Sequence, residues 1–369
     1  MKKAAAILSV LCILCCCAQA KAADTEEVYK LLNQNGETLT QILGQCEIGD
    51  EYIGGDNAHY RITAVDVQNH TATASYAGIA DMPDVSWLTD EDAQAVSAAG
   101  KRLIALYCTH SDESYIKGDG TESDEKRGGI YDIAASFSEE LKNLGSEVAL
   151  NTETHHPHDA GAYRRSRQTA LSLLKQQPDA IFDLHRDGIP DPEEYAVTVG
   201  GKEMSKVRLL VGKSNQNKDA NLSFAKKIKA VADRMHPGLI KDIYIGKGTY
   251  NQDLAPRSVL LEFGTHTLPK SRVEASVKPM AEVVYRTVFG GVVGSAGASD
   301  VSGKAQKEDI APATESNEGS GATIWIVLAL IAGLGVFAFL SAGKGGGAEK
   351  WKHSFSEMTG GLLGKRPRK

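Results

Sequence analysis

Three segments of the chain end an apolar run in side chains that can hold a metal or move a proton. RLIALYC runs into Thr109-His110-Ser111-Asp112-Glu113-Ser114-Tyr115, AIFDL into His185-Arg186-Asp187, and SVLL into Glu262-Phe263-Gly264-Thr265-His266. Two neutral imidazoles and a carboxylate form a ligand set for a catalytic zinc, with one coordination position left open. A second carboxylate beside that position takes a proton from water and then returns it, acting first as base and then as acid. Glu262 stands between Leu261 and Phe263, where an unpaired carboxylate costs several kcal/mol. It needs compensation, either from a bound cation or metal-activated water, or from a salt bridge to Arg257 or Arg186.

Other polar clusters carry weaker signals. His155, His156 and His158 lie close together, but Pro157 breaks helical spacing, so the cluster reads as a loop at the mouth of a site or an adventitious metal binder. His266 is a substrate contact or an alternative ligand. Arg164, Arg165 and Arg167 are either a solvated helix face or a greeting for an anionic substrate. Asn251-Gln252-Asp253-Leu254 suits substrate hydrogen bonding or simple loop closure. The chain carries no G-x-x-x-x-G-K-[ST], no G-x-G-x-x-G before a helix and no G-x-S-x-G, which removes nucleotide binding and serine-hydrolase chemistry.

The elements that must position these residues alternate strand and helix from about 101 to 292. RLIALYC and AIFDLH read as strands buried on both faces. Ile130, Ile133, Ala134, Phe137, Leu141 and Leu144 follow helical spacing, and Gly145 is placed to stop that helix. Further helices are expected over roughly 160–176, over 222–235, and up to about Val288, the last starting near Val273 or afresh at Pro279. A hairpin is expected about Gly200-Gly201. The alternation predicts an α/β fold with a mostly parallel sheet flanked by helices, and ligands in such sheets bind beyond the carboxyl ends of the strands. Before it, residues 21–100 form a small N-terminal region, β-rich at about 46–77, with a short helix and turn expected over 24–45.

The two ends of the chain point to export. Residues 1–20 have a Lys2-Lys3 start, an apolar stretch and an Ala18-Gln19-Ala20 cleavage pattern, as in a signal peptide. Residues 293–321 are polar and read as a flexible linker, and Ala322–Ala342 is an uncharged run of the length of a transmembrane helix. The tail 343–369 is basic, which places it in the cytoplasm with the body outside, at the cell membrane. Cys46 and Cys108 are then the cysteines left in the mature chain, either paired or buried as free thiols. Lys and Arg total 41 against 47 for Asp and Glu, a net charge of -6 that argues against a nucleic-acid binder.

Taken in order, THSDESY at 109–115, DLHRD at 183–187, YNQDL at 250–254 and LLEFGTH at 260–266 resemble the stage II sporulation protein P family of cell-wall hydrolases, over about residues 101–290. That family is similar to the zinc-dependent N-acetylmuramoyl-L-alanine amidases. The resemblance implies a zinc amidase-like fold and hydrolysis of the amide between the lactyl group of N-acetylmuramic acid and L-alanine of the peptidoglycan stem, with cutting of peptide crosslinks as a second activity. It implies His110 and His185 as zinc ligands and Glu262 as the catalytic glutamate. Glu113 is the chosen carboxylate ligand, with Asp112, Glu122 and Glu125 as alternatives, and Arg186, Asn251 and Gln252 are the expected substrate contacts. It also implies a lytic transglycosylase partner resembling stage II sporulation protein D, and a role in wall remodelling of the sporulation-engulfment type. The family's usual anchor is an N-terminal membrane segment, so the C-terminal span at 322–342 and Cys108 before Thr109-His110 are departures. Rival readings are a silent wall-binding or adaptor protein, and a zinc peptidase acting on other substrates.

Overall fold

The computed structural model describes residues 27–290 apart from Gln45, 89–101 and Ala160. The expected signal peptide, linker, membrane span and basic tail lie outside the described residues. Among the described residues no helix is long and apolar enough to cross a membrane.

The fold is mixed α/β around a large sheet. Eleven strands hydrogen-bond in the order β2-β1-β5-β4-β3-β12-β11-β13-β8-β6-β7. The last six in that order are β12 (Ile240–Gly246), β11 (Val207–Gly212), β13 (Ser258–Thr265), β8 (Ala180–Asp187), β6 (Leu103–Tyr107) and β7 (Glu147–Leu150). All their pairings are parallel except β11 with β13. Apolar runs such as LIALY, buried at every position, suit strands covered on both faces. Successive side chains of a strand point to opposite faces. Ile104 and Leu106 accordingly join the main core, under α1 (Ile130–Asn143), α3 (Lys218–Met235) and α4 (Lys270–Phe289). Ala105 and Tyr107 face α2 (Ala162–Leu174) on the other side. In α1 the apolar positions recur at helical spacing and Gly145, at φ +98°, takes the left-handed position after its end. The helix α4 begins at Lys270, earlier than either start read from the sequence, and runs through Pro279.

The N-terminal residues build strands where a helix and turn were expected. β1 (Val28–Asn33) and β2 (Thr38–Leu43) form a hairpin. Tyr29 and Leu31 alternate onto one buried face, a period of two that overrides helix propensity in so short a run. Asn33 Oδ1 accepts hydrogen bonds from the backbone of Asn35 and Glu37, and Gly36 turns at φ +82°. β3 (Glu51–Ile53), β4 (Ala58–Asp66) and β5 (Thr71–Ile79) continue the same sheet, because β3 pairs antiparallel with β12. Thus the N-terminal β-rich region extends the main sheet, antiparallel except where β1 pairs with β5, and the sheet is half antiparallel where a mostly parallel one was expected. This region curls back: β2, the end strand, lies against the second face, where Gln41 donates to Asp191 (3.4 Å) and Thr40 to Glu194 (2.9 Å). Ile42 and Tyr29 pack there with Leu210, Tyr244 and Leu260. A separate hairpin, β9 (Ala196–Val199) with β10 (Lys202–Ser205), turns through Gly200 and Gly201, both at positive φ as a tight hairpin turn requires.

Candidate metal centre and cleft

The alternation along β8 sends Phe182 and Leu184 into the core under the helices, and Asp183, His185 and Asp187 to the opposite face. Glu262 shares its parity with Leu260 on β13 and faces the same way. β8 and β13 are parallel neighbours with His185 opposite Glu262, and β11 places Arg208 opposite Glu262 on the other flank. The chain leaving β6 brings His110 and Glu113 to the same place. Asp183 fixes that departure: its Oδ1 accepts from the Thr109 backbone N–H (2.8 Å) and its Oδ2 from the Thr109 hydroxyl (2.6 Å).

One ligand atom from each of His110, Glu113 and His185 lies within 4.8 Å of the others. Glu113 Oε1 is 3.1 Å from His110 Nδ1 and 3.2 Å from His185 Nδ1. Two ligands of a tetrahedral zinc, each about 2 Å from the ion, sit about 3.3 Å apart, so these separations fit the group. The second oxygen, Glu113 Oε2, accepts from the Arg186 backbone N–H at 2.8 Å, which fixes the carboxylate plane. His185 Nε2 lies 3.0 Å from Asp183 Oδ1, within ion-pair reach but off the line of a hydrogen bond. In a loaded site Asp183 would stand where an outer carboxylate orients a ligating imidazole. The His110 ring stacks on His158 at 3.9 Å and meets the edge of Tyr163 at 5.4 Å.

Burial and close pairing shift the titration of each of these groups. Burial opposes charge on His185, but the Asp183 and Glu113 carboxylates outweigh it and hold the imidazole well above its ordinary pKa. Burial likewise opposes charge on Glu113, yet His185 and His110 keep it well below the carboxylate range. Burial lowers His110, the more so beside His185. Glu262 goes the other way: burial, then Asp187, raise it well above its usual value. The residue is half-buried overall, while Oε2 itself is sealed from solvent and has no hydrogen-bond partner. Neither Arg257 nor Arg186 forms the salt bridge considered from the sequence.

The expected substrate contacts have other duties. The Arg186 guanidinium donates to the carbonyls of Ser114 (3.2 Å) and Glu122 (2.9 Å), tying down the loop after Glu113 while still edging the cleft. Asn251 donates to the Tyr163 carbonyl and Ser166, both at 3.0 Å. Gln252 bridges the Leu210 carbonyl (2.8 Å) and the Gly212 N–H (2.9 Å). Both amides are buried and close the loop after β12 rather than line the cleft. From that motif it is Tyr250 that reaches the cleft. Asp112 binds His158 (3.1 Å) and Ser123 (2.6 Å), Glu122 is exposed beside His266 (3.6 Å), and Glu125 is exposed, so none of the three alternatives joins the imidazoles. His155 is structural, between the Cys108 carbonyl and Thr169 (2.9 Å each), whereas His158 faces the cleft. Arg165 ties to Asp159 and Arg167 to Asp253 (2.6 Å each). Cys46 and Cys108 are buried free thiols in separate cores, so no disulfide joins them.

Residues 56–285 match the stage II sporulation protein P family. The chain belongs to that family. It is 27% identical over 218 residues to stage II sporulation protein P of Bacillus subtilis (strain 168), a match covering 54% of this chain and 54% of the relative, so it spans about half the relative's length. Among solved structures, it is similar to the apo N-acetylmuramyl-L-alanine amidase from Mycobacterium abscessus, with 16% identity, TM-score 0.35, and 52% of this chain and 98% of that one covered. It is also similar to the CwlD amidase from Clostridioides difficile in complex with the GerS lipoprotein, with 17% identity, TM-score 0.34, and coverage of 51% and 96%. Three residues around the cleft carry roles that the sequence motifs do not mark. Asp183 was detectable as the residue two before His185 on one strand face. Tyr163 and Arg208 carried no signal, one on a helix and the other inside an apolar strand.

Proposed function

We propose that the protein is a zinc-dependent peptidoglycan hydrolase that cleaves the amide between N-acetylmuramic acid and L-alanine of the stem peptide. The observation that carries this reading is the orphaned Glu262 carboxylate directly across from His185, beside a His110–Glu113–His185 donor set of zinc-like spacing. When bound, zinc supplies a Lewis acid and a positive charge that makes a nearby water easier to deprotonate. Glu262 takes the proton of the attacking water at its unpartnered oxygen and delivers it to the amine that leaves. Burial favours its protonated form, which suits the delivering half of the cycle. Asp183 keeps the His185 ring in place, and the Arg186 N–H keeps Glu113 turned toward the imidazoles. The cleft is open to solvent, which suits a polymer lying across it.

Family membership supports a place in sporulation-type wall remodelling. We read 1–20 as an export signal and 322–342 as the membrane anchor on the same grounds as the sequence did. The test is digestion of purified peptidoglycan by the purified protein, with chelator and after zinc is restored, with products identified by mass spectrometry. Free stem peptides and peptide-free glycan are expected, lost with chelator and recovered with zinc. Uncrosslinked muropeptides alone would move the scissile bond to the crosslinks. No product from a zinc-loaded protein would contradict the hydrolase reading and favour a wall-binding role.

A further inference from the structure

The cleft has two unlike sides. On one lie the metal donors and Glu262; on the other lie Ile42 and Leu43 of β2, with Leu210 and Tyr244. On this second side, Ile42 and Leu43 come from an edge strand of the sheet, more than 60 residues before His110 in sequence. A dense set of polar contacts holds it there. Arg208 donates to the Thr40 hydroxyl (2.9 Å) and the Gln41 carbonyl (3.0 Å), and Lys241 donates to the same hydroxyl. Leu43 is only half-buried and sits directly on Gly188, three residues after His185. A Cβ at Gly188 would lie 2.5 Å from Leu43 Cδ2, so the glycine is what lets the leucine approach the metal side.

A strand docked only for stability would bury Leu43 rather than leave it facing an open cleft. We propose that Leu43, backed by Ile42, forms an aliphatic subsite that selects the small methyl-bearing groups flanking the scissile bond. The proposal rests on the amidase reading above, in which that bond carries one methyl on the lactyl carbon and one on alanine. Ile42, Leu43 and Leu210 are aliphatic, the Tyr244 hydroxyl donates to Asp50 (2.9 Å), and the Arg208 guanidinium is already engaged by Asp242, Asp187, Thr40 and Gln41. Nothing on this side matches a charged group. Leu43 is thus a specificity-determining residue contributed by the N-terminal strands, with the buried Ile42 packed behind it.

The experiment compares wild type with Leu43→Ala and Gly188→Ala, all zinc-loaded, on muramoyl-peptides whose first residue is alanine, glycine or valine. One buried methyl group is worth about fourfold or more in binding. Wild type should prefer alanine over glycine by at least that factor. Leu43→Ala should raise KM for the alanine substrate about three- to tenfold, leave kcat within about twofold, and flatten the alanine-to-glycine preference. Gly188→Ala pushes the flexible end of Leu43 inward and should penalise valine more than alanine. A second readout needs no turnover: the Kd of zinc-loaded Glu262→Gln protein for the muramoyl-L-alanyl peptide, with and without Leu43→Ala. An unchanged alanine-to-glycine ratio, or an unchanged Kd, at normal zinc content and melting temperature would overturn the subsite. Absence of cleavage in wild type would instead count against the amidase reading. If the peptide then also fails to bind Glu262→Gln, the subsite falls with it.

Discussion

Two clusters of buried charge lie one strand apart on the same sheet face, and they differ in completeness. Around Arg208, every strong donor has an acceptor: Asp242 takes Nε at 2.7 Å and Nη2 at 3.0 Å, and Asp187 takes Nη1 at 3.0 Å. Lys241 closes the set at 3.0 Å from Asp242. Around Glu262, the buried Oε2 has no hydrogen-bond partner, and His185 Nε2 has an ion-pair neighbour without a hydrogen bond. Burying charge is tolerated when it is paired and hydrogen-bonded, and costly otherwise. The complete cluster therefore explains itself as architecture that pins β2, β8, β11 and β12 together. The incomplete one asks for a cation and a substrate.

The sharpest way to break this contrast is to remove the functional group and leave its shape. Glu262→Gln should lower turnover of peptidoglycan by on the order of 10²–10⁴-fold while zinc content stays at the wild-type value. Retained activity would remove Glu262 from its proton-transfer role. The matching change in the complete cluster should act on stability instead. Asp242→Ala leaves Arg208 and Lys241 underpaired and should cost about 3–5 kcal/mol in chemical denaturation. Its pH dependence has a definite sign. Despite burial, Arg208 and Lys241 hold the Asp242 carboxyl down at about 2, below its ordinary 3.8. The stabilisation is therefore present above about pH 4 and is lost as pH falls through about 2, so the difference from wild type should shrink in that window. A constant difference would show that packing, not charge, is what the substitution removes.

Smaller effects refine the boundary between the clusters. Asp183→Asn should weaken zinc binding about 10–100-fold, because the outer carboxylate orients the His185 ring. Unchanged affinity would confine Asp183 to tethering Thr109. In metal-free protein, Glu262 has a folded pKa raised by burial and by Asp187. Its contribution is fully favourable below the unfolded value of about 4.3 and is lost as pH rises through the folded value. Glu262→Gln should thus leave metal-free stability unchanged near pH 4 and raise it by about 1–3 kcal/mol near pH 8. A melting curve insensitive to the substitution at both pH values would mean that the carboxylate is not orphaned.

The parts of this arrangement that follow from strand ends were legible in the sequence. His110, His185 and Glu262 each follow a continuous apolar run, and a parallel sheet brings such ends to one edge. Side chains on irregular backbone were not. Tyr250 and Asn251 both adopt positive φ, at 49° and 55°, a turn that sends the tyrosine to the cleft and the asparagine inward. Polar character alone gave no sign of which of YNQDL would face a substrate. The curl of the sheet was also hidden, because it depends on Arg208 and Asp242, charged residues inside strands that read as core. The partners of Arg208 on β2 lie more than 160 residues away, and no local pattern records such a contact.

The central claim is that the incomplete cluster is a metal centre. Its most direct test is calorimetric titration of zinc into chelator-treated protein near pH 7, in two buffers of different ionisation enthalpy. Against the pull of burial, Asp183 and Glu113 hold the His185 pKa well above its ordinary value, which favours a proton that zinc ligation must displace. The account predicts one tight zinc per chain with release of about one proton, both abolished in Glu113→Ala. Zinc binding that is weak, that releases no proton, or that survives Glu113→Ala undiminished would contradict it.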